Sequence, residues 1–252
     1  MKLNVVPPRT GILWVKLGIQ TFGKQPLALA GLFFMYIAAV ILVSQVPYLG
    51  VVIAGMLVPA ATLGLMAATA EATRGRFPMP SILVSAFRAG RQEARAMLIL
   101  GAIYTVASMG ASALGSLIMG GPPSNAGELD PSTLVALMLH APLFLLFWHA
   151  PALVHWHGVS PGKSLFFSAV ACFRNFGALL VYGFLWMGVF LAAGTVLGLL
   201  GGLLGGPSMA KAVMMPAALL MAAMFSTSIY FTFRDSFVAE PGLEPQPNGD
   251  PS

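Results

Sequence analysis

Leu27–Ser44, LALAGLFFMYIAAVILVS, and residues 50–70, GVVIAGMLVPAATLGLMAATA, decide the fold between them. Neither stretch holds an Asp, Glu, Lys or Arg, and only Gln45-Val-Pro-Tyr-Leu49 separates them. As a helix rising 1.5 Å per residue, each is about 30 Å long, the thickness of a bilayer's hydrocarbon core. Lipid offers the backbone no hydrogen-bond partners, so such a run must satisfy its own peptide groups as a helix. The short uncharged link then requires an out-and-back hairpin. Glu71, Arg74 and Arg76 follow at once, where the chain regains a polar surface.

Working outward from that hairpin, the same reading places further spans at 96–119, 132–154, 177–204 and 211–232. The composition agrees: 58% hydrophobic and 8% charged, against about 25% charged for a soluble domain. A water-soluble fold is excluded, and the expected class is an all-α membrane protein with six transmembrane helices. The first span begins only after Lys2, Arg9, Lys16 and Lys24, which marks it as a permanent span and not a cleavable signal. Expected organisation is therefore a cytoplasmic amphipathic segment at 1–26, a membrane domain at 27–235, and a disordered cytoplasmic tail at 236–252 with four prolines and three acids. A single cysteine, Cys172, rules out an intramolecular disulfide.

Charge fixes the orientation. Of the 13 Lys and Arg residues, only Lys211 falls on the side of the first interspan loop. Under the positive-inside rule both termini are cytoplasmic, and Glu128 and Asp130 lie in a solvated outer loop. An internal repeat at an offset of 83 residues pairs Pro59 with Pro142, Gly75 with Gly158, Pro78 with Pro161, Ser81 with Ser164, Ser85 with Ser168 and Arg91 with Arg174. A fainter third unit opens at Pro216-Ala217-Ala218. The unit is an amphipathic elbow followed by a hairpin, so three such units share one orientation.

The elbows read as interfacial helices on the cytoplasmic side. In the first, Thr10 can act as the cap, and Lys16, Gln20 and Lys24 recur every four residues opposite Leu13, Trp14, Leu17 and Phe22. In the second, Arg88, Arg91 and Arg95 share a face of a helix starting at Ser81. The third carries Lys163 and ends at Arg174. Apolar faces in the bilayer with cations among anionic headgroups make Lys16, Lys24, Arg88, Arg91, Arg95, Lys163 and Arg174 the candidate lipid interface. Topogenic anchoring is the plainer role for the same residues.

All four histidines fall within the fourth span and its end: His140, His149, His155 and His157, interleaved with Pro142, Trp148 and Pro151. No pair has the one-turn spacing of a helical two-histidine metal site. His155, Trp156 and His157 fit an aromatic belt at the membrane surface. His149 lies deeper, where an ionisable group needs a partner, and a backbone carbonyl freed by Pro151 is the expected one. His149, His140, Trp148, Pro151, His155 and His157 are thus the candidate polar site.

Absences bear on function too. No ionisable Asp, Glu, Lys or Arg lies mid-span, and Glu71 is expected to pair with Arg74. No phosphate loop, HExxH zinc site, GxSxG elbow or glycosidase acid pair is present, so no catalytic activity and no cofactor are expected.

Arg76-Phe-Pro-Met-Pro-Ser81, Phe147-Trp-His-Ala-Pro-Ala-Leu-Val-His-Trp-His-Gly-Val-Ser-Pro161 and Tyr230-Phe-Thr-Phe-Arg-Asp235 together resemble an uncharacterised family of beta-proteobacterial six-span inner-membrane proteins. That family has no established activity. The resemblance implies a Gram-negative inner-membrane location and no inherited functional residue. The leading functional expectation is a non-enzymatic protein that binds anionic lipid or organises a membrane complex. It would act as a homo-oligomer or with a partner membrane subunit, and without nucleic acid. Alternatives are a permease for a small neutral or hydrophobic solute using a cavity at His149, and a histidine-based metal or haem protein.

Overall fold

A computed structural model of the chain describes residues 2–121 and 131–238. The elements run β1 (Lys2–Leu3), α1 (Thr10–Lys24), α2 (Pro26–Ser44), α3 (Gly50–Thr73), a 3-10 turn (Pro80–Val84), α4 (Ser85–Arg88) and α5 (Arg91–Met119). They continue through α6 (Pro131–Phe147), α7 (Ala150–His157), α8 (Pro161–Arg174), α9 (Phe176–Gly206), α10 (Ser208–Ser236) and β2 (Phe237–Val238). Among the described residues, six helices or helix pairs are long and apolar enough to cross a membrane. These are α2, α3, α5, α6 with α7, α9 and α10, and the sequence-based bounds fall within a few residues of them. The chain is an all-α membrane protein.

Local chemistry explains the ends. Proline opens α2, α6 and α8, where its missing N–H would have no intrahelical partner anyway. Glycine in the left-handed region closes α5 at Gly120 (φ +72°) and α7 at Gly158 (φ +61°). Gly75, one repeat before Gly158, has the same conformation at the end of α3 (φ +75°). Between α9 and α10 the helical dihedrals fail at Gly205 and Gly206.

Three expectations change. The second elbow is not one helix from Ser81 to Arg95, because Gly90 at φ +138° breaks it; Arg91 and Arg95 belong to the first turns of α5, whereas Arg88 ends α4. Thr10 is the first helical residue of α1 and makes no capping bond. Helical and strand structure also extends three residues past 235, with Phe237 buried. Glu128, Asp130 and the remainder of the expected tail, residues 239–252, lie outside the described residues.

The amphipathic helices pack against protein as well as facing outward. Trp14, Val15 and Phe22 of α1 are buried, with Trp14 and Val15 in a cluster that includes Tyr182 and Trp186 of α9 and Phe231 of α10. In α8 the buried face is the small one, Ser164, Ser168, Ala171 and Cys172, while Phe166 and Phe173 point outward. The chain ends meet: β1 and β2 pair antiparallel, Lys2 opposite Val238 and Leu3 opposite Phe237. Asn175, between α8 and α9, accepts from the Val6 amide at 2.8 Å and donates to the Asn4 carbonyl at 3.0 Å and to Ser236 Oγ at 3.2 Å.

Candidate functional site

The fourth span is broken at Trp148-His149, between α6 and α7. A regular helix would join the His149 amide to the Leu145 carbonyl. Here the Ser168 hydroxyl of α8 stands between them, accepting from His149 N at 3.0 Å and donating to Leu145 O at 2.9 Å. A side chain inserted in the ladder, with Pro151 two residues on, accounts for the break. The Cys172 thiol, one turn further along α8, also donates to Leu145 O, at 3.6 Å.

His149 is 1% exposed. Its Nε2 lies 3.2 Å from Thr232 Oγ1, which also accepts from Trp148 Nε1 at 2.8 Å. The Thr232 proton goes to the Ile229 carbonyl at 2.7 Å. Thr232 therefore can only accept from the imidazole, which assigns the proton to Nε2 and leaves Nδ1 as an acceptor facing Cys172 Sγ at 4.0 Å. Phe233 and Phe237 close the other side of the ring. The partner of His149 is thus a threonine hydroxyl and not a carbonyl freed by Pro151. Ser168, Thr232 and Cys172 were missed as site residues, although the repeat singled out Ser168 and the Tyr230–Asp235 motif contains Thr232.

The remaining histidines are separated from His149. His140 and Trp148 line a crevice of about 460 Å³ with Thr62, Tyr104, Phe144 and Phe147. His140 Nδ1 donates to the Ala136 carbonyl at 2.8 Å, so its Nε2 is the acceptor facing the Ser108 hydroxyl at 3.4 Å. His155 and His157 line a different basin of about 430 Å³ with Glu71, Arg74, Tyr230 and Arg234. His155 Nδ1 and, on the same wall, Ser85 Oγ are buried with no hydrogen-bond partner. Pro151 is buried in the first turn of α7. No group of three or more His, Cys, Asp or Glu side chains able to hold a metal comes together among the described residues.

Charged groups gather where the short and long helices meet. Glu71 binds both Arg74, at 3.1 Å, and Arg76, at 2.6 Å, and Arg234 pairs with Asp235 at 2.8 Å. Lys16, Lys24, Arg88, Arg91, Arg95, Lys163 and Arg174 are all exposed and have no carboxylate partner among the described residues. Arg91, Glu93 and Arg95 line a groove of about 630 Å³ that reaches Ser160 and Pro161 at the start of α8, two residues before Lys163 in the chain.

Over 266 aligned residues the chain is 38% identical to a probable inner membrane protein of Burkholderia thailandensis, and the match covers 98% of each chain. No family model matches the chain. No solved structure matches it.

Proposed function

This chain belongs to the same family as that Burkholderia protein, and from that premise we propose that it is a non-enzymatic inner-membrane protein that binds anionic lipid at one end of its helix bundle. One observation carries the reading: Arg88, Arg91, Arg95, Lys163 and Arg174 are exposed and lack acidic partners among the described residues, unlike Arg74, Arg76 and Arg234. Arg91 and Lys163 also occupy the first turns of α5 and α8, with Arg95 one turn further along α5; the helix dipole disfavours a cation in a first turn, and among the described residues only Glu93 offsets it there. A lipid phosphate seated there gains from the cations and from the free backbone N–H groups together. The cytoplasmic placement of this end follows from the charge asymmetry.

A permease using His149 has less support, since its imidazole is enclosed by Thr232, Phe233, Phe237 and Cys172 and lines neither the crevice nor the basin. Native mass spectrometry of protein extracted from vesicles of equal phosphatidylglycerol and phosphatidylcholine tests the lipid reading. Retention of phosphatidylglycerol over phosphatidylcholine is expected. Changing Arg91, Arg95 and Lys163 to Gln together should reduce that preference by roughly fivefold per cation. Equal retention of both lipids, or a preference unchanged in the triple variant, refutes it.

A further inference from the structure

The crevice beside His140 has a chemistry distinct from the cationic end of the bundle. It lies midway along the spans, which a bilayer places near its midplane: Thr62 is the thirteenth of 24 residues in α3, and Tyr104 the fourteenth of 29 in α5. Among the described residues its wall is hydrocarbon and aromatic, with no charged side chain; apart from the Trp148 indole, whose N–H is taken by Thr232, three polar side chains line it, Thr62, Tyr104 and His140. Its 460 Å³ falls within the range of small-molecule sites, about 300–1,000 Å³.

The hydrogen-bonding capacity of those three groups narrows the ligand. The Thr62 proton is taken by the Val58 carbonyl at 2.9 Å. The His140 proton goes to Ala136 O, and its free nitrogen faces Ser108. Only the Tyr104 hydroxyl makes no hydrogen bond with any described residue, and it stands half-buried in a region where water is scarce. In an uncharged apolar wall, the open Tyr104 hydroxyl can donate to a ligand with one accessible acceptor oxygen and an otherwise apolar body. Phospholipids do not supply that oxygen here, because their ester carbonyls sit at the membrane surface, about 15 Å from the midplane, and present only methylene chains at this depth.

We propose that the crevice among α3, α5, α6 and α10 is a binding site for an uncharged lipophile bearing a carbonyl oxygen, which accepts from Tyr104 while its body packs on Phe144, Phe147 and Trp148. The site stands apart from the anionic-lipid surface, and neither reading depends on the other.

Benzophenone, which combines an apolar body, a carbonyl and photochemical C–H insertion, is the probe. The full-length protein in dioleoylphosphatidylcholine nanodiscs is photolabelled over a concentration series, with fluorenone and its carbonyl-free analogue fluorene as competitors, and adducts are mapped by peptide mass spectrometry. Saturable labelling on the crevice faces of α3 and α6 is expected, with fluorenone competing better than fluorene by roughly three- to tenfold, the range of one neutral hydrogen bond. Tyr104→Phe should remove that difference, and Ala141→Trp, at the exposed rim, should abolish the labelling. Labelling that does not saturate, that spreads over outer surfaces such as Leu117 and Leu203, or that fluorene blocks as well as fluorenone in the unaltered protein, overturns the proposal. The competitor comparison needs no substitution and so stands even where a variant fails to fold.

Discussion

Ser85 and Ser168 occupy equivalent places in the internal repeat yet have opposite environments. Ser168 is 0% exposed and completes a broken helix ladder by joining His149 N to Leu145 O, whereas the buried Ser85 hydroxyl has no partner. Ser168→Ala would leave a buried amide without its acceptor and the Leu145 carbonyl with only the long thiol bond, and should lower stability by about 1–3 kcal/mol. Ser85→Ala removes a group that pays desolvation without return and should be neutral or mildly stabilising. Denaturation of the two variants in detergent, followed by circular dichroism, separates them; equal losses would contradict the assigned roles. The repeat made both serines visible in the sequence, but identity at equivalent positions carries no information about what lies opposite. The same limit hid Thr232: a threonine near the end of an apolar span has no sequence signature that marks it as the acceptor for Trp148 and His149.

At the scale of elements, the six spans were legible because lipid imposes a length and a polarity that few other constraints override. The amphipathic helices were legible only by half. Lys16, Gln20 and Lys24 do form the exposed face of α1, but an apolar face is equally satisfied by lipid or by another helix, and periodicity cannot tell which. The missing signal was Gly11 and Gly18, two turns apart on the buried face. A Cβ at Gly18 would lie 2.3 Å from Ser228 Cβ, and one at Gly11 the same distance from the Ala178 carbonyl oxygen. These distances show that α1 presses backbone-close on α9 and α10. Gly18→Ala should therefore destabilise by about 1–3 kcal/mol through overpacking. Gly23→Ala on the same helix meets nothing within 4 Å and should stabilise by up to about 1 kcal/mol through helix propensity. Thermal melts of the two variants should shift in opposite directions; a shared direction would mean that α1 is not docked this way. The second elbow was misread for a related reason: Arg88, Arg91 and Arg95 fit a helical period, and only the backbone at Gly90 shows that the helix stops between them.

For the whole molecule, the even number of spans predicts that the two chain ends share a face, and the structure joins them directly. Beyond the β1–β2 pair and Asn175, Trp14 Nε1 donates to Asp235 Oδ2 at 3.0 Å, binding the first amphipathic helix to the end of the last span. Which membrane face this is rests on the cation distribution alone, and the lone cysteine makes it measurable. Cys172 is buried, and that burial pushes its thiol up to about 12, against about 8.5 for a free cysteine. Between pH 7 and 9 an ordinary thiol becomes largely thiolate while Cys172 stays protonated, so the native chain should resist an impermeant maleimide across that window. Against this silent background, Tyr48→Cys reports the tip of the first hairpin, where Tyr48 is 99% exposed, and Lys24→Cys reports the opposite end. Intact spheroplasts should label Tyr48→Cys and spare Lys24→Cys, and inverted vesicles should do the reverse. The opposite pattern would put the unpaired arginines on the outer face. It would then remove the anionic cytoplasmic surface, from which their proposed lipid contacts derive most of their strength.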